Sequence, residues 1–152
     1  MTSELKRQLV SQLVESSRLL RNYIDHRAKG RGTTRAQWIV LFRLREQEGL
    51  SQVDLADVLE LQPISLVRLL DRLVEHGLLE RRHDPRDRRA NRLFLTEAGR
   101  QLVDDLDSLR DSIAANVLRD IPPQSIQTSL ETLLDIKERI KGLVEPGSIA
   151  AK

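Results

Sequence analysis

At 152 residues, with 39% hydrophobic but only 3% aromatic content, the chain suits one domain or a small module carried on extra helices, with a core of leucine, isoleucine and valine. It has no cysteine, which excludes disulfides, thiolate zinc sites and cysteine-based redox sensing. The formal net charge is only +2, yet residues 81–92 hold six arginines against two aspartates, so a near-neutral total hides one cationic face. No apolar run approaches the roughly 20 residues of a membrane span, and the opening MTSELKRQLV lacks the apolar stretch of a signal peptide. A soluble, cytoplasmic protein with no membrane partner is expected.

Leu5, Leu9, Leu13, Leu20 and Ile24 recur near three- and four-residue spacing, which predicts a long helix over residues 3–28 with one apolar stripe. KGRG at 29–32 ends it. Thr34 stands three residues before Gln37, a capping-box spacing, and opens a helix through Trp38, Ile39, Leu41, Phe42 and Leu44 that stops before Gly49. Ser51 and Asp54 repeat the pattern for a short third helix through Leu55, Ala56, Val58 and Leu59. Pro63 suits the first turn of a fourth helix, which runs to about residue 76, where Gly77 ends it in the left-handed conformation.

Residues 78–82 and 91–95 read as two short strands, paired antiparallel about the turn DPRDRR. Thr96 caps a fifth helix reaching about residue 119. Its stripe is Leu102, Val103, Leu106, Leu109 and Ile113, and its polar side carries Asp104, Asp105, Asp107 and Asp111. Pro122 and Pro123 break the chain before a sixth helix over about 123–142, and the tail EPGSIAAK is expected to fray.

Three short helices followed by a charged hairpin have the sequence shape of a winged helix. The expected fold class is therefore mainly α (α+β). A winged helix-turn-helix at 33–96 lies between an N-terminal dimerisation helix (1–32) and C-terminal dimerisation helices (97–145). The stripes of the terminal helices lie outside the central block, and leaving them wet costs about 1.5–3 kcal/mol per large side chain. A homodimer covers them; an intramolecular helical bundle is the alternative.

At about 100° per residue the fourth helix turns Leu66, Leu69, Leu70 and Leu73 inward and presents Ile64, Ser65, Arg68, Asp71, Arg72 and Glu75. In a helix-turn-helix, the N-terminal part of that exposed face meets base edges. Arg68 matches guanine O6 and N7 with its planar fork. Ser65 suits a base or a phosphate, Gln62 the anion-attracting helix start, and Ile64 a thymine methyl. Arg72 extends the same cationic face. The plain alternative is a solvated surface on which Arg68 and Arg72 pair with Asp71 and Glu75. In the hairpin turn, Arg86, Arg88 and Arg89 point to an anion. Asp87 is expected to brace one of them so that its guanidinium enters a narrow minor groove.

The segments TRAQW, LSQVDLADVLELQPISLVRLLDRLVEHGLLERR, DPRDRR and LFLTEAGR resemble the MarR family of bacterial transcription regulators in order and spacing, over nearly the whole chain. YIDHRAKGRGTTRAQW, PISLVR and DRRANRLFLT are most similar to the SlyA branch. The resemblance implies a two-fold dimer of winged helix-turn-helix lobes on pseudo-palindromic double-stranded promoter DNA. It matches Arg86, Arg88 and Arg89 to the family's wing arginines and Asp87 to its wing aspartate.

Repression is the commoner outcome in this family, and indirect activation also occurs in the SlyA branch. The resemblance further implies a small aromatic carboxylate or phenolic effector near Arg21, His26 and Trp38. Arg21 would face the carboxylate and Trp38 the ring, with His26 as a polar neighbour; a core role for Trp38 is the simpler alternative. Ile64 departs from the small polar residues of many relatives.

A winged helix can instead dock proteins, and salt dependence of DNA binding separates that alternative. An enzyme is not expected. His26, His76 and His83 lie on different elements, and no nucleophile setting, metal-ligand spacing or phosphate loop is present. No cofactor is expected.

Overall fold

Capping decides where the first helices of the central block begin. The computed structural model describes residues 2–144, with the backbone alone at residues 88–90. Its elements are α1 (Thr2–Ala28), α2 (Arg35–Glu46), α3 (Gln52–Leu59), α4 (Pro63–Glu75), β1 (Leu79–Asp84), β2 (Asp87–Leu95), α5 (Glu97–Val117) and α6 (Pro123–Val144). This mainly helical arrangement with one small antiparallel sheet is the winged-helix fold expected from the sequence. The tail at 145–152 lies outside the described residues. The chain divides into two compact units, residues 1–111 and 112–152.

Within the first unit, Thr34 and Gln37 form both halves of the capping box. Thr34 Oγ1 accepts from the Gln37 N–H at 3.3 Å, and Gln37 Oε1 accepts from the Thr34 N–H at 2.9 Å. Gln37 is buried, so the same bond satisfies an amide oxygen that has lost water. Ser51 Oγ accepts from the Asp54 N–H at 3.1 Å to open α3. Glu60, with φ 54°, ends α3 in the left-handed conformation, and Gly77, with φ 73°, follows the end of α4.

Leu41 and Leu44 of α2, Leu55 of α3, Leu66, Leu70 and Leu73 of α4, Leu79 of β1 and Leu93 and Leu95 of β2 are all buried. Burying one such side chain is worth roughly 1.5–3 kcal/mol. Three anchors on one face therefore fix which side of α4 meets solvent. The stripe of α2 differs from expectation at one position. Gln37, Val40, Leu41 and Leu44 set its phase, which turns Ile39 outward.

The hairpin is longer and its turn tighter than the sequence suggested. Only Pro85 and Arg86 form the turn, and residues 87–90 belong to β2. Asp84 is the reason. Its Oδ1 accepts from the Arg86 N–H at 2.9 Å, a side-chain substitute for a backbone turn bond. The register runs from Leu79 opposite Leu95 to His83 opposite Asn91, then steps so that Asp84 faces Asp87. On its other edge β2 meets the α2–α3 connection. The Gly49 N–H donates to Leu93 O at 2.9 Å, and the Leu93 N–H donates to Leu50 O at 3.0 Å.

Thr96 joins the wing to α5. Its hydroxyl donates to Gly77 O at 2.6 Å and accepts from the Gly99 N–H at 3.0 Å. Of the predicted α5 stripe, Val103, Leu106, Leu109 and Ile113 are buried and Leu102 is half-buried. The helix ends at Val117, two residues short of expectation, and Asp120 turns the chain at φ 62°. None of the described residues of α1 or α6 is buried. Leu5, Leu9, Val10 and Val14 stand exposed on α1, as do Leu133, Leu134, Ile140 and Leu143 on α6.

Candidate nucleic-acid interface

The solvent face of α4 carries the residues read from the sequence. Gln62 is the N-cap, and its side chain makes no cap hydrogen bond. Ile64, Ser65, Arg68 and Arg72 are all exposed. Asp71 does not pair with either arginine. It is taken by Arg81 of β1, whose Nη2 lies 2.7 Å from Asp71 Oδ1. Among the described residues neither Arg68 nor Arg72 has an acidic partner. The pairs with Asp71 and Glu75 named in the solvated-face alternative are absent among the described residues, and both guanidiniums are open to solvent.

The wing divides its arginines into two groups. Arg81, on the inward side of β1, and Arg82 and Arg92, on the exposed side of the hairpin, act as braces along it. Arg81 Nε also donates to Gln52 Oε1 at 2.9 Å, which joins β1 to α3. Arg82 pairs with Glu80 and lies 4.0 Å over the Phe94 ring. Arg92 Nε donates to Asp84 Oδ2 at 3.2 Å, and its Nη1 donates to Gly49 O at 3.1 Å. Arg82 and Arg92 face each other across the strands, a like-charge pairing that is unfavourable alone. Each is drawn to a different carboxylate, which offsets it.

Arg86 is exposed at the turn, and Asp87 sits opposite Asp84 at the start of β2. The side chains of Arg88 and Arg89 lie outside the described residues. The Arg86 N–H is the main cause holding the Asp84 carboxyl below the usual aspartate range; burial opposes it, and the Arg92 guanidinium adds to the lowering. Asp84 thus acts as the fastening of the turn.

The bracing arginines were missed as a group, although strand alternation carries the signal. Arg81 shares the inward side of β1 with Leu79, two residues away, so it was placed to reach α4.

The three residues read as an effector site are not gathered at one opening. Arg21 and His26 are exposed on α1. Trp38 is 4% exposed, and its Nε1–H donates to Thr33 Oγ1 at 2.7 Å, the arrangement of a satisfied core residue. A cleft of about 550 Å3 lies at the end of α1 and the start of α2, lined by Asp25, Lys29, Thr33, Thr34 and Arg35 among others. Arg35 Nη1 lies 3.4 Å from Asp25 Oδ1 without hydrogen-bond geometry. Among the described residues no cluster of His, Asp and Glu is arranged to hold a metal ion.

The MarR family matches residues 33–90, from before α2 through the wing turn. A MarR-family transcriptional regulator from Rhodococcus sp. RHA1 is 28% identical, with 87% of this chain and 94% of that one covered and a TM-score of 0.75. Bordetella bronchiseptica BpsR, whose DNA binding is regulated by 6-hydroxynicotinic acid, is 25% identical with coverages of 86% and 98% and a TM-score of 0.75. The transcriptional regulator SlyA shares the fold at 20% identity, with coverages of 87% and 93% and a TM-score of 0.76. A matched winged helix and structural relatives aligned over most of both chains agree: residues 33–90 are similar to the MarR family, and the chain shares the fold of solved MarR-family regulators.

Proposed function

We propose that the chain represses transcription as a homodimer on pseudo-palindromic promoter DNA, without catalysis, in the cytoplasm and nearest the SlyA branch of the MarR family. The carrying observation is that Arg68 and Arg72 stand unpaired on α4 among the described residues, while the neighbouring acid Asp71 is neutralised by Arg81. With Gln62, Ile64 and Ser65 they form the part of α4 that enters the major groove. Arg86, Arg88 and Arg89 reach the adjacent backbone or minor groove, with Asp87 steadying one of them.

Residues 1–32 and 97–145 supply the dimer contacts, a reading supported by the exposed leucines of α1 and α6. Two half-sites require the paired α4 helices to stand about 34–36 Å apart. A small aromatic carboxylate or phenol then acts as effector near Arg21 and His26, with Trp38 behind Thr33. Support comes from the adjacent cleft and from the regulation of BpsR by such a compound. The effector lowers DNA affinity only as far as it prefers a dimer of different helix separation.

Mobility-shift titration of selected genomic fragments across salt concentrations tests this reading. Affinity falls steeply as salt rises, and Arg68→Ala abolishes the shift while the dimer stays folded. A flat salt response, or full binding by Arg68→Ala, overturns it in favour of a protein-docking module.

A further inference from the structure

Among the exposed apolar side chains of the helix-turn-helix, three lie at the α3–α4 groove or beside it on α4. Ile64 is 70% exposed and Val53, on the first turn of α3, 71%, while Val67 is 37% exposed. Val53 and Val67 line a shallow groove of about 130 Å3 between α3 and α4, with Ala56, Pro63 and Leu66 as its other apolar walls and Gln52 and Asp57 as its polar ones. Ala56 and Leu66 at the floor of the groove belong to the core, whereas Ile64, Val53 and Val67 stand clear of it at the surface.

We infer that Ile64 and Val67, flanked by Val53, form an apolar patch that reads thymine methyl groups, so that each half-site carries a T·A pair beside the base pair taken by Arg68. The inference rests on the DNA-binding reading above and gives it a sequence preference. Charge complementarity selects the occupant. A protein covering this patch would also bury Arg68 and Arg72, at a desolvation cost unless it brought its own acids. Duplex DNA supplies phosphates for the cations and, in the major groove, one apolar feature: the C5 methyl of thymine. Every other base edge there presents donors or acceptors, which an apolar side chain would desolvate without replacing their hydrogen bonds.

Helix geometry fixes the spacing. Ile64 and Arg68 are one turn apart, about 6 Å along α4 and about 40° around it, and Val67 lies about 60° to the other side of Ile64. With roughly 3.4 Å between successive base pairs, the two residues address positions one or two steps apart.

The test uses the full chain to select duplexes from a random pool. Each thymine of the selected half-site is then replaced by uracil, which differs only in lacking the methyl. One or two positions lose about fourfold in affinity per methyl removed. In Ile64→Ala or Val67→Ala the same replacement has no further effect. Because Ile64 is largely exposed, its replacement leaves the fold in place, and thermal melts verify this. Tight, salt-sensitive binding with no uracil penalty, or a penalty unchanged in both alanine variants, overturns the patch but leaves DNA binding intact. Failure to enrich any duplex overturns both.

Discussion

Arg81 of β1 lies 2.7 Å from Asp71 of α4, so the wing is fastened to the same helix that presents Arg68 and Arg72. The pair performs two tasks. It sets the wing against α4, and in the proposed DNA complex it cancels a negative charge that would otherwise face phosphate. As a partly exposed ion pair it contributes at most about 1 kcal/mol to stability.

Replacing Arg81 by alanine should therefore reduce DNA affinity much more than it lowers the melting temperature. We expect about a tenfold loss, equivalent to 1.4 kcal/mol, the scale of ordering a side chain or two on binding. Adding Asp71→Asn to Arg81→Ala removes the stranded carboxylate and recovers part of that loss. Fluorescence anisotropy with a labelled operator measures both. A double variant weaker than Arg81→Ala alone would rule out the charge-cancelling role.

Gly99 offers a purely structural prediction. A Cβ built there would lie 2.2 Å from Leu78 O, a backbone atom with little room to yield. Gly99→Ala should destabilise by roughly 1–3 kcal/mol, the usual cost of overpacking. Among the described residues, a Cβ at Gly142 of α6 would meet nothing within 4 Å. Gly142→Ala is therefore neutral or stabilising by up to about 1 kcal/mol. Denaturant midpoints of the two variants settle the comparison.

Local chemistry made most of the fold legible. Thr34, Ser51, Pro63, Gly77 and Thr96 each mark an element boundary through a bond or dihedral that depends on near neighbours, and the structure places those boundaries within two residues of expectation. The outward face of α4 followed from its leucine spacing for the same reason. The wing was harder to read because its organisation is non-local. Arg81 reaches ten residues back to Asp71, and Arg92 reaches Gly49 across 43. Arginines that brace and arginines that project have the same composition, so counting them along 81–92 could not separate the two kinds. Trp38 posed the same difficulty, because neither its burial nor its bond to Thr33 is visible in the sequence.

That contact can be tested through Trp38, the only tryptophan in the chain. Thr33→Val keeps the shape but removes the acceptor for a buried indole N–H. An unsatisfied buried donor costs about 1–3 kcal/mol. The lower end is expected here, because Thr33 lines an open cleft from which water can reach. Thr33→Ser should retain parental stability. Unfolding followed by Trp38 emission reads both.

Acid should weaken the fold through Asp107 as well as Asp84. The hydrogen bond from Arg45 is the main cause holding the Asp107 carboxyl below the ordinary aspartate value of 3.8, and burial opposes it. A carboxylate with a depressed folded pKa stabilises fully above its unfolded value, and the contribution is lost as pH falls through the folded one. The window therefore lies below about pH 4. Both partners are more than a third exposed, so the Asp107 contribution is at most about 1 kcal/mol after solvent screening. Melts at pH 7, 5, 4 and 3 should show Asp107→Asn less stable than the parent at pH 7. The difference should shrink as pH falls below 4, and a constant difference would refute the linkage.

Dimerisation provides the most consequential test, because it asks what covers the terminal helices. Leu9 on α1 and Leu133 on α6 are each nearly half exposed in the single chain. A charge placed at either therefore costs an isolated monomer little. In a dimer that buries these helices, each charged substitution forfeits an apolar contact and desolvates a carboxylate. Light scattering after size exclusion should give the parent twice its 17.4 kDa chain mass, and Leu9→Asp or Leu133→Asp close to one chain mass. The monomeric variants should keep their helical circular dichroism yet lose most operator affinity, because one α4 then reads one half-site without its linked partner. A parent that runs as a monomer at micromolar concentration would remove the paired half-site reading and leave the apolar faces of α1 and α6 to some other cover.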